Sequence, residues 1–575
     1  MTDPRAALRQ SLRANPSDAM GWVMLAEHEL DAGDAASGEL AARRALELRP
    51  GHPEALARLG RAQWMLGRRD EAVHSLRAAA RAAPNHPGMA VWLGHALEDV
   101  GDGEGALAAY AHAYALAPQE PQIAAYLLAW RRKLCDWRDL DQLSRQVRDA
   151  VARAQASVEP FGFLSEDASA AEQRRCAGLR ASTIARSVRT LAPAPRKDAH
   201  APVRAGFLSN GFGNHPTGLL TVALFEALKR RGGLQVHLFA LNRDDGSQLR
   251  RRLRAAADEL HDVAQQPHAR IADAIRGAGI DVLFDLRGWG GGGAPEVLAM
   301  RPAPVQVNWL AYPGTSAAPW IHYVLADRFV LPEAMAADFS ETVAWLPRCF
   351  QPSDTARVVA APPDRAACGL PAQGVVFCCF NNSYKLNPRS MTRALEVLRG
   401  VPGSVLWLLS GPGNADARLR ESAAQRGLDP ARLVFMRKQP HADYMARLRH
   451  ADLFLDTHPY NAHTTASDAL WAGCPVLTAP GATFAARVAG SLNHHLGLGH
   501  MNVADDAAFV ARAVALGNNP AELAALRAEL AARRGDSGVF DMDGFAVDFA
   551  AMTLAMARRQ RKGEAPARLQ GPVRG

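Results

Sequence analysis

Four prolines, Pro16, Pro50, Pro84 and Pro118, stand 34 residues apart. Other positions keep step with them. Leu25, Leu59, Leu93 and Leu127 recur at the same period, and Ala26, Gly60 and Gly94 directly follow the first three. Ala72 and Ala106, Leu76 and Tyr110, and Ala45, Ala79 and Ala113 complete the register. A fixed period of this length means tandem units, each burying its apolar face only against its neighbours.

This is the tetratricopeptide pattern of two antiparallel helices per unit. Small residues sit where the helices touch, bulky ones fill the gap, and a proline closes the second helix. The pattern predicts an α-helical repeat superhelix over residues 1–135 with roughly three full units. The first unit departs from it, with Gly38 and Ala42 where alanine and a bulky residue are usual. Stacked repeats present a concave face suited to a peptide or protein partner. An array this short serves equally as a spacer or a homodimer contact.

Residues 136–200 form an Arg-rich helical linker, closed by Pro193, Pro195 and the segment 197–200. Strands then alternate with helices. Strands are expected at 204–209, 236–241, 282–285 and 305–310, giving a doubly wound domain over 201–355. Pro362 and Pro363 mark a linker. A second alternation has strands at 375–380, 405–409, 433–436, 453–456 and 476–478, within 356–545. A last helix near 545–558 and a polar tail, expected to be disordered, complete 546–575. Two such α/β domains with ligand loops at facing edges imply a cleft between them. No Gly-x-Gly-x-x-Gly follows either first strand and no P-loop occurs, which argues against a dinucleotide cofactor. Asp244 and Asp245 read as a solvated turn.

The stretch 453–480 carries the sharpest local chemistry. A short apolar strand leads into a loop with His463, Thr464 and Thr465, then a helix that stops at Gly473 with Pro475 beyond it. Thr464 or Thr465 is expected to cap that helix, with Asp468 completing a capping box with Thr465. The free amides of a helix start attract an anion, and two hydroxyls with an imidazole beside them suit a diphosphate.

Composition excludes several classes. The net charge of +8 comes mostly from arginines spread along all 575 residues. No recognition helix or basic tract interleaved with aromatics accompanies it, so nucleic acid is not an expected partner. Seven cysteines without Cys-x-x-Cys argue for a reducing compartment, against a disulfide frame, and against a zinc site. The start Met-Thr-Asp-Pro-Arg lacks a signal-peptide core, and no apolar run is long enough to span a bilayer. A cytoplasmic location is expected, with no membrane contact.

The repeats, two Rossmann-like domains and the His-Thr-Thr loop together resemble the O-GlcNAc transferases, in which tetratricopeptide repeats join a GT-B glycosyltransferase of family 41. The resemblance rests on Cys-Asp-Trp (135–137), Phe-Gly-Asn-His-Pro-Thr (212–217), Arg-Pro-Ala-Pro-Val-Gln (301–306) and Tyr-Pro-Gly-Thr-Ser (312–316). It continues through Phe-Asn-Asn-Ser-Tyr-Lys (380–385), Ser-Val-Leu-Trp-Leu-Leu (404–409), His-Thr-Thr-Ala-Ser-Asp (463–468) and Leu-Trp-Ala-Gly (470–473). It implies a UDP-GlcNAc donor, a Ser or Thr acceptor in a polypeptide, inversion at the anomeric carbon, and no metal or other cofactor. Catalytic roles are implied for Lys385, on the diphosphate, and His215, the histidine proposed as the acceptor's base. Nucleotide binding is implied for Asn382, Lys438, Gln439, Tyr444, Arg447, His463, Thr464, Thr465 and Asp468. Thr217, Leu310 and Pro313 are implied to line the sugar site.

The chain departs from the family at several of these places. Phe161 stands near the position of a family histidine, Gly211 at that of an aspartate offered as a rival base, and Ala311 at that of a sugar-pocket glycine. Asn382 replaces a glutamine and Tyr444 a histidine. Two alternatives follow: the same fold with another UDP-sugar, such as UDP-glucose onto Asn, or a repeat scaffold that senses UDP-sugar without turnover.

Overall fold

The computed structural model describes residues 4–195, 197–198 and 200–571. The chain divides into two compact units, Met1–Ala150 with Gly411–Arg418, and Val151–Ser410 with Leu419–Gly575.

The first unit is built from helix pairs at the expected period. Ala19–Asp31 pairs with Ala35–Leu48, Pro53–Met65 with Arg69–Ala82, and Pro87–Asp99 with Gly103–Leu116; Pro121–Lys133 follows. Pro50, Pro84 and Pro118 each lie two residues beyond a second helix, where proline cannot continue it. A Cβ at Gly60 would lie 2.6 Å from Leu76 Cγ, and one at Gly94 2.6 Å from Tyr110 Cε1. The small and bulky members of the repeat are thus one contact seen from two sides. The irregular first unit keeps the contact by exchange: Ala26 and Ala42 replace Gly and a bulky residue, and Leu30 packs against Gly38 instead.

The second unit holds two parallel sheets. Its first seven strands are β1 (Arg204–Ser209), β2 (Gln235–Ala240), β3 (Glu259–Asp262), β4 (Val282–Asp285), β5 (Val305–Asn308), β6 (Tyr323–Asp327) and β7 (Thr342–Leu346). Then come β8 (Val376–Cys379), β9 (Val405–Leu409), β10 (Leu433–Met436), β11 (Leu453–Leu455), β12 (Val476–Leu477) and β13 (Leu569–Gln570). The sheet orders are β13-β7-β6-β5-β4-β1-β2-β3 and β10-β9-β8-β11-β12. The inner strands β1, β4, β5 and β8 are buried on both faces, which is why they read as unbroken apolar runs. Two doubly wound sheets in one unit are the GT-B architecture.

Three differences from the sequence reading have physical causes. β3 is a charged, half-exposed edge strand, and its sequence Glu-Leu-His-Asp carries no strand signal. β6 and β7 are joined by a short 3₁₀ turn, Glu333–Asp338, so the strand–helix alternation that marks the others is missing. The tail expected to be disordered places Leu569 and Gln570 beside β7 as an edge strand. Before it, the helix Met542–Arg561 packs on the first sheet: Phe549 lies 4.8 Å from Phe284 and 4.9 Å from Trp309, ring centre to ring centre.

Candidate functional site in the cleft between the sheets

Each sheet reverses its winding once. The first runs β1-β2-β3 to one side and then places β4 on the other side of β1; the second does the same between β8 and β11. The loops leaving the carboxyl ends at such reversals diverge, and the crevice between them is where doubly wound sheets take ligands. Here both crevices open into one cavity of about 210 Å³. His215 follows β1, Arg287 follows β4, Asn381, Asn382 and Lys385 follow β8, and Tyr460, His463, Thr464 and Thr465 follow β11.

The helix Thr464–Ala472 starts on the cavity wall, with His463 in the N-cap position and no side-chain cap. The expected capping box is therefore absent. Thr465 donates to Asn381 Oδ1 at 2.6 Å, and Asp468 is paired with Arg357, with His441 Nε2 3.4 Å away. First-turn amides without a side-chain cap are the anion-binding end of a helix. The helix stops at Gly473, whose φ of +90° puts it in the left-handed C-cap conformation.

Lys385 is buried, with 7% of its surface exposed. Its Nζ donates to Asn461 O at 2.7 Å and lies 3.7 Å from the centre of the Tyr460 ring. It makes no ion pair among the described residues. Burial pushes its pKa down to about 7, against the pull of Asp456, whose own carboxyl is raised by burial to about 6. Asp456 instead braces the loop, accepting from Ala462 N at 2.7 Å, Thr457 N at 2.8 Å and Thr478 Oγ1 at 2.7 Å. The result is a buried amino group lining the cavity without a carboxylate on it.

Arg287, on the facing wall, adds a second cation that the motif reading did not single out. Its Nη2 donates to Gly291 O, its Nε is buried without a partner, and burial lowers its pKa. Asn381, Tyr384, Tyr460, Gln351 and Phe161 also line the cavity and were not expected there. Phe161 packs edge-on to Tyr384 and Tyr460, at 6.3 and 6.0 Å. No carboxylate lines the cavity among the described residues.

The two cavity histidines have their tautomers fixed by backbone. His215 caps the helix Pro216–Arg231, its Nδ1 accepting from Thr217 N at 3.1 Å, so the ring proton sits on Nε2. Burial first, then Arg287 and Lys438, push its pKa down to about 4. His463 Nε2 donates to Ala485 O at 3.2 Å, leaving Nδ1 as its acceptor, and burial holds its pKa well below the usual range. A Cβ at Gly211 would overlap His215 Nδ1, so the capped ring requires glycine there.

Thr217 and Leu310 line the cavity, Leu310 with φ +90°, an uncommon value for a residue with a side chain. Pro313 is buried and does not line the cavity. Lys438 and Gln439 lie in the loop after β10, and Tyr444 and Arg447 on the following helix His441–Leu448; none of the four lines the cavity. Tyr444 packs edge-on to Phe380 at 5.7 Å, and its hydroxyl is buried without a hydrogen bond. Arg447 reaches Asp443 O at 3.3 Å.

Comparison with known proteins agrees with this layout. The profile of Glycosyl transferase family 41 matches residues 134–361 and 358–549, and a tetratricopeptide-repeat profile matches 29–90. The probable UDP-N-acetylglucosamine–peptide N-acetylglucosaminyltransferase SEC of Arabidopsis thaliana is 34% identical over 430 residues, 71% of this chain and 44% of that protein. The UDP-N-acetylglucosamine–peptide N-acetylglucosaminyltransferase of Caenorhabditis elegans is 26% identical over 557 residues, 75% of this chain and 48% of that one. The chain thus spans about half the length of these relatives. A solved structure of a lysine-to-methionine mutant of Thermobaculum terrenum O-GlcNAc transferase superposes with TM-score 0.68 at 26% identity, covering 98% of this chain and all of that one.

Proposed function

The chain belongs to glycosyl transferase family 41, and from that premise we propose that it is an inverting, metal-independent enzyme transferring GlcNAc from UDP-GlcNAc to Ser or Thr hydroxyls of polypeptides. The observation that carries this reading is Lys385: a buried ammonium with no carboxylate on it, facing the uncapped start of the helix Thr464–Ala472 across one cavity. A leaving diphosphate needs fixed positive charge and donors where its charge develops, in a place from which water is excluded. Lys385 supplies the charge, with Arg287 as a second cation, while Asn382, His463, Thr464 and Thr465 hold phosphate oxygens.

Asp468, fixed by Arg357, holds the ribose, and Lys438, Gln439, Tyr444 and Arg447 border the base. Thr217, Leu310 and Pro313 shape the sugar end. The absence of a lining carboxylate among the described residues favours direct displacement over a glycosyl–enzyme intermediate. His215 presents Nε2–H and has its lone pair engaged by Thr217 N–H, which suits it to orient an acceptor or phosphate oxygen as a donor. The repeats supply the polypeptide surface, with Met24 and Trp64 exposed at 50% and 43%.

No helix among the described residues is long and apolar enough to cross a membrane. Free thiols at all seven cysteines favour a reducing, cytoplasmic setting. Phe161 and Ala311 on the cavity wall favour, as a second reading, a different UDP-sugar in the same cleft. Incubating the chain and protein acceptors with a panel of labelled UDP-sugars in EDTA tests both. Label from UDP-GlcNAc on Ser or Thr supports the first, and label from another sugar alone supports the second. No transfer from any sugar contradicts both.

A further inference from the structure

Away from the cleft, three side chains converge at the edge of the first sheet. β2 carries His237, and the edge strand β3 carries Glu259 and His261, two residues apart and so on one face. The parallel register pairs His237 with Glu259 and Phe239 with His261. His237 Nδ1 and His261 Nε2 lie 3.3 Å apart, and Glu259 Oε2 is 3.6 Å from each histidine.

These separations have a simple meaning. A tetrahedral ion bonded to nitrogen and oxygen at about 2.0–2.1 Å has its ligand atoms roughly 3.3–3.4 Å apart. The triangle therefore closes around an ion of that size with shifts of a few tenths of an ångström. A hydrogen bond between the two rings accounts for one edge of the triangle and not for the carboxylate aimed at the same point.

The two histidines are also held in place. His237 is buried, at 6% exposure, and the His261 ring lies flat on Phe239, with centres 4.4 Å apart and planes 4° from parallel. Burial lowers the pKa of both imidazoles, so at neutral pH they are in the form that ligates a metal. Arg204 and Asp258, the other charged groups facing His237, are tied to neighbouring groups. Arg204 donates to Gln235 Oε1 and Ala278 O, and Asp258 accepts from Val236 N.

We propose that His237, Glu259 and His261 bind one divalent transition-metal cation, with Zn²⁺ the best match to two imidazoles and a carboxylate, and with solvent completing its shell. The ion clamps β3 to β2, the only strand that β3 pairs with among the described residues. None of the three residues lines the cleft, so the ion acts on the stability of the sheet edge and not on transfer.

The test uses the full chain, free of any affinity tag and stripped of metal. Calorimetry with Zn²⁺ and visible absorption with Co²⁺ are expected to report one site per chain, and Zn²⁺ to raise the thermal midpoint. Glu259→Gln, at an exposed position, is expected to weaken Zn²⁺ binding roughly tenfold or more, and His261→Ala to abolish the Co²⁺ band. The chain has 19 histidines, so an unchanged affinity and spectrum in both variants would mean that other residues hold the ion, and would overturn the proposal. So would the absence of saturable one-to-one binding. UDP binding in EDTA is independent of either result, so the cleft and the clamp stand or fall separately.

Discussion

Lys385 shows how one residue can be recognised by what it lacks. A buried ammonium ordinarily finds a carboxylate or loses its proton; this one has a carbonyl, an aromatic face and a pKa pushed down to about 7. A bound diphosphate favours the protonated form and raises that pKa, so binding takes up a proton. The affinity for the nucleotide sugar, whose diphosphate diester does not itself titrate near neutrality, is therefore expected to be full below pH 7. It should fall as pH rises above 7, by up to about tenfold per unit. Calorimetry across pH checks this, and Lys385→Arg should flatten the slope because arginine stays charged. Lys385→Met is expected to lower turnover about 100-fold or more in a steady-state assay. His215 makes the opposite case. With a pKa near 4 and a proton on Nε2, it should contribute no limb to the pH–rate profile between pH 5 and 8; a limb there that vanishes in His215→Asn would restore a base role. Of the cavity residues, 463–465 were legible from their own polar cluster, whereas Lys385, Asn382, His215, Thr217 and Leu310 came only through the family resemblance. Arg287 and Asn381 carry no local signal, because the tertiary fold alone brings them to the cavity wall.

Among the elements, the apolar inner strands and the repeat helices were legible because burial on both faces, or a fixed period, leaves a strong pattern. What the pattern could not carry was tertiary. Asp468 three residues after Thr465 satisfies a capping rule, yet each found a stronger partner across the fold, Arg357 for one and Asn381 for the other. β13 pairs only because the helix before it returns to the first sheet, which no local signal announces. That return is open to test. Phe549 is fully buried against Phe284 and Trp309, and Phe549→Ala should cost about 3–5 kcal/mol in denaturant unfolding of the second unit. In the loop before the helix Pro216–Arg231, Gly211→Ala should displace the His215 ring and lower turnover more than nucleotide affinity, since apart from Arg287 the residues assigned to the nucleotide follow strands of the other sheet.

At the scale of the whole molecule, the chain carries a repeat array and a two-sheet unit whose winding reversals face one cavity. Fold class followed from patterning; the acceptor did not, because a concave helical face states a kind of partner and no sequence for it. The claim on which the rest depends is that the cleft binds a uridine diphosphate through Lys385 and the start of the helix Thr464–Ala472, without metal. Titration calorimetry with UDP in EDTA, on the wild-type chain and on Lys385→Met and His463→Ala, tests it directly. The account predicts one site per chain in EDTA, weakened in both variants. No binding by the folded wild-type chain, or equal binding by all three, would contradict it.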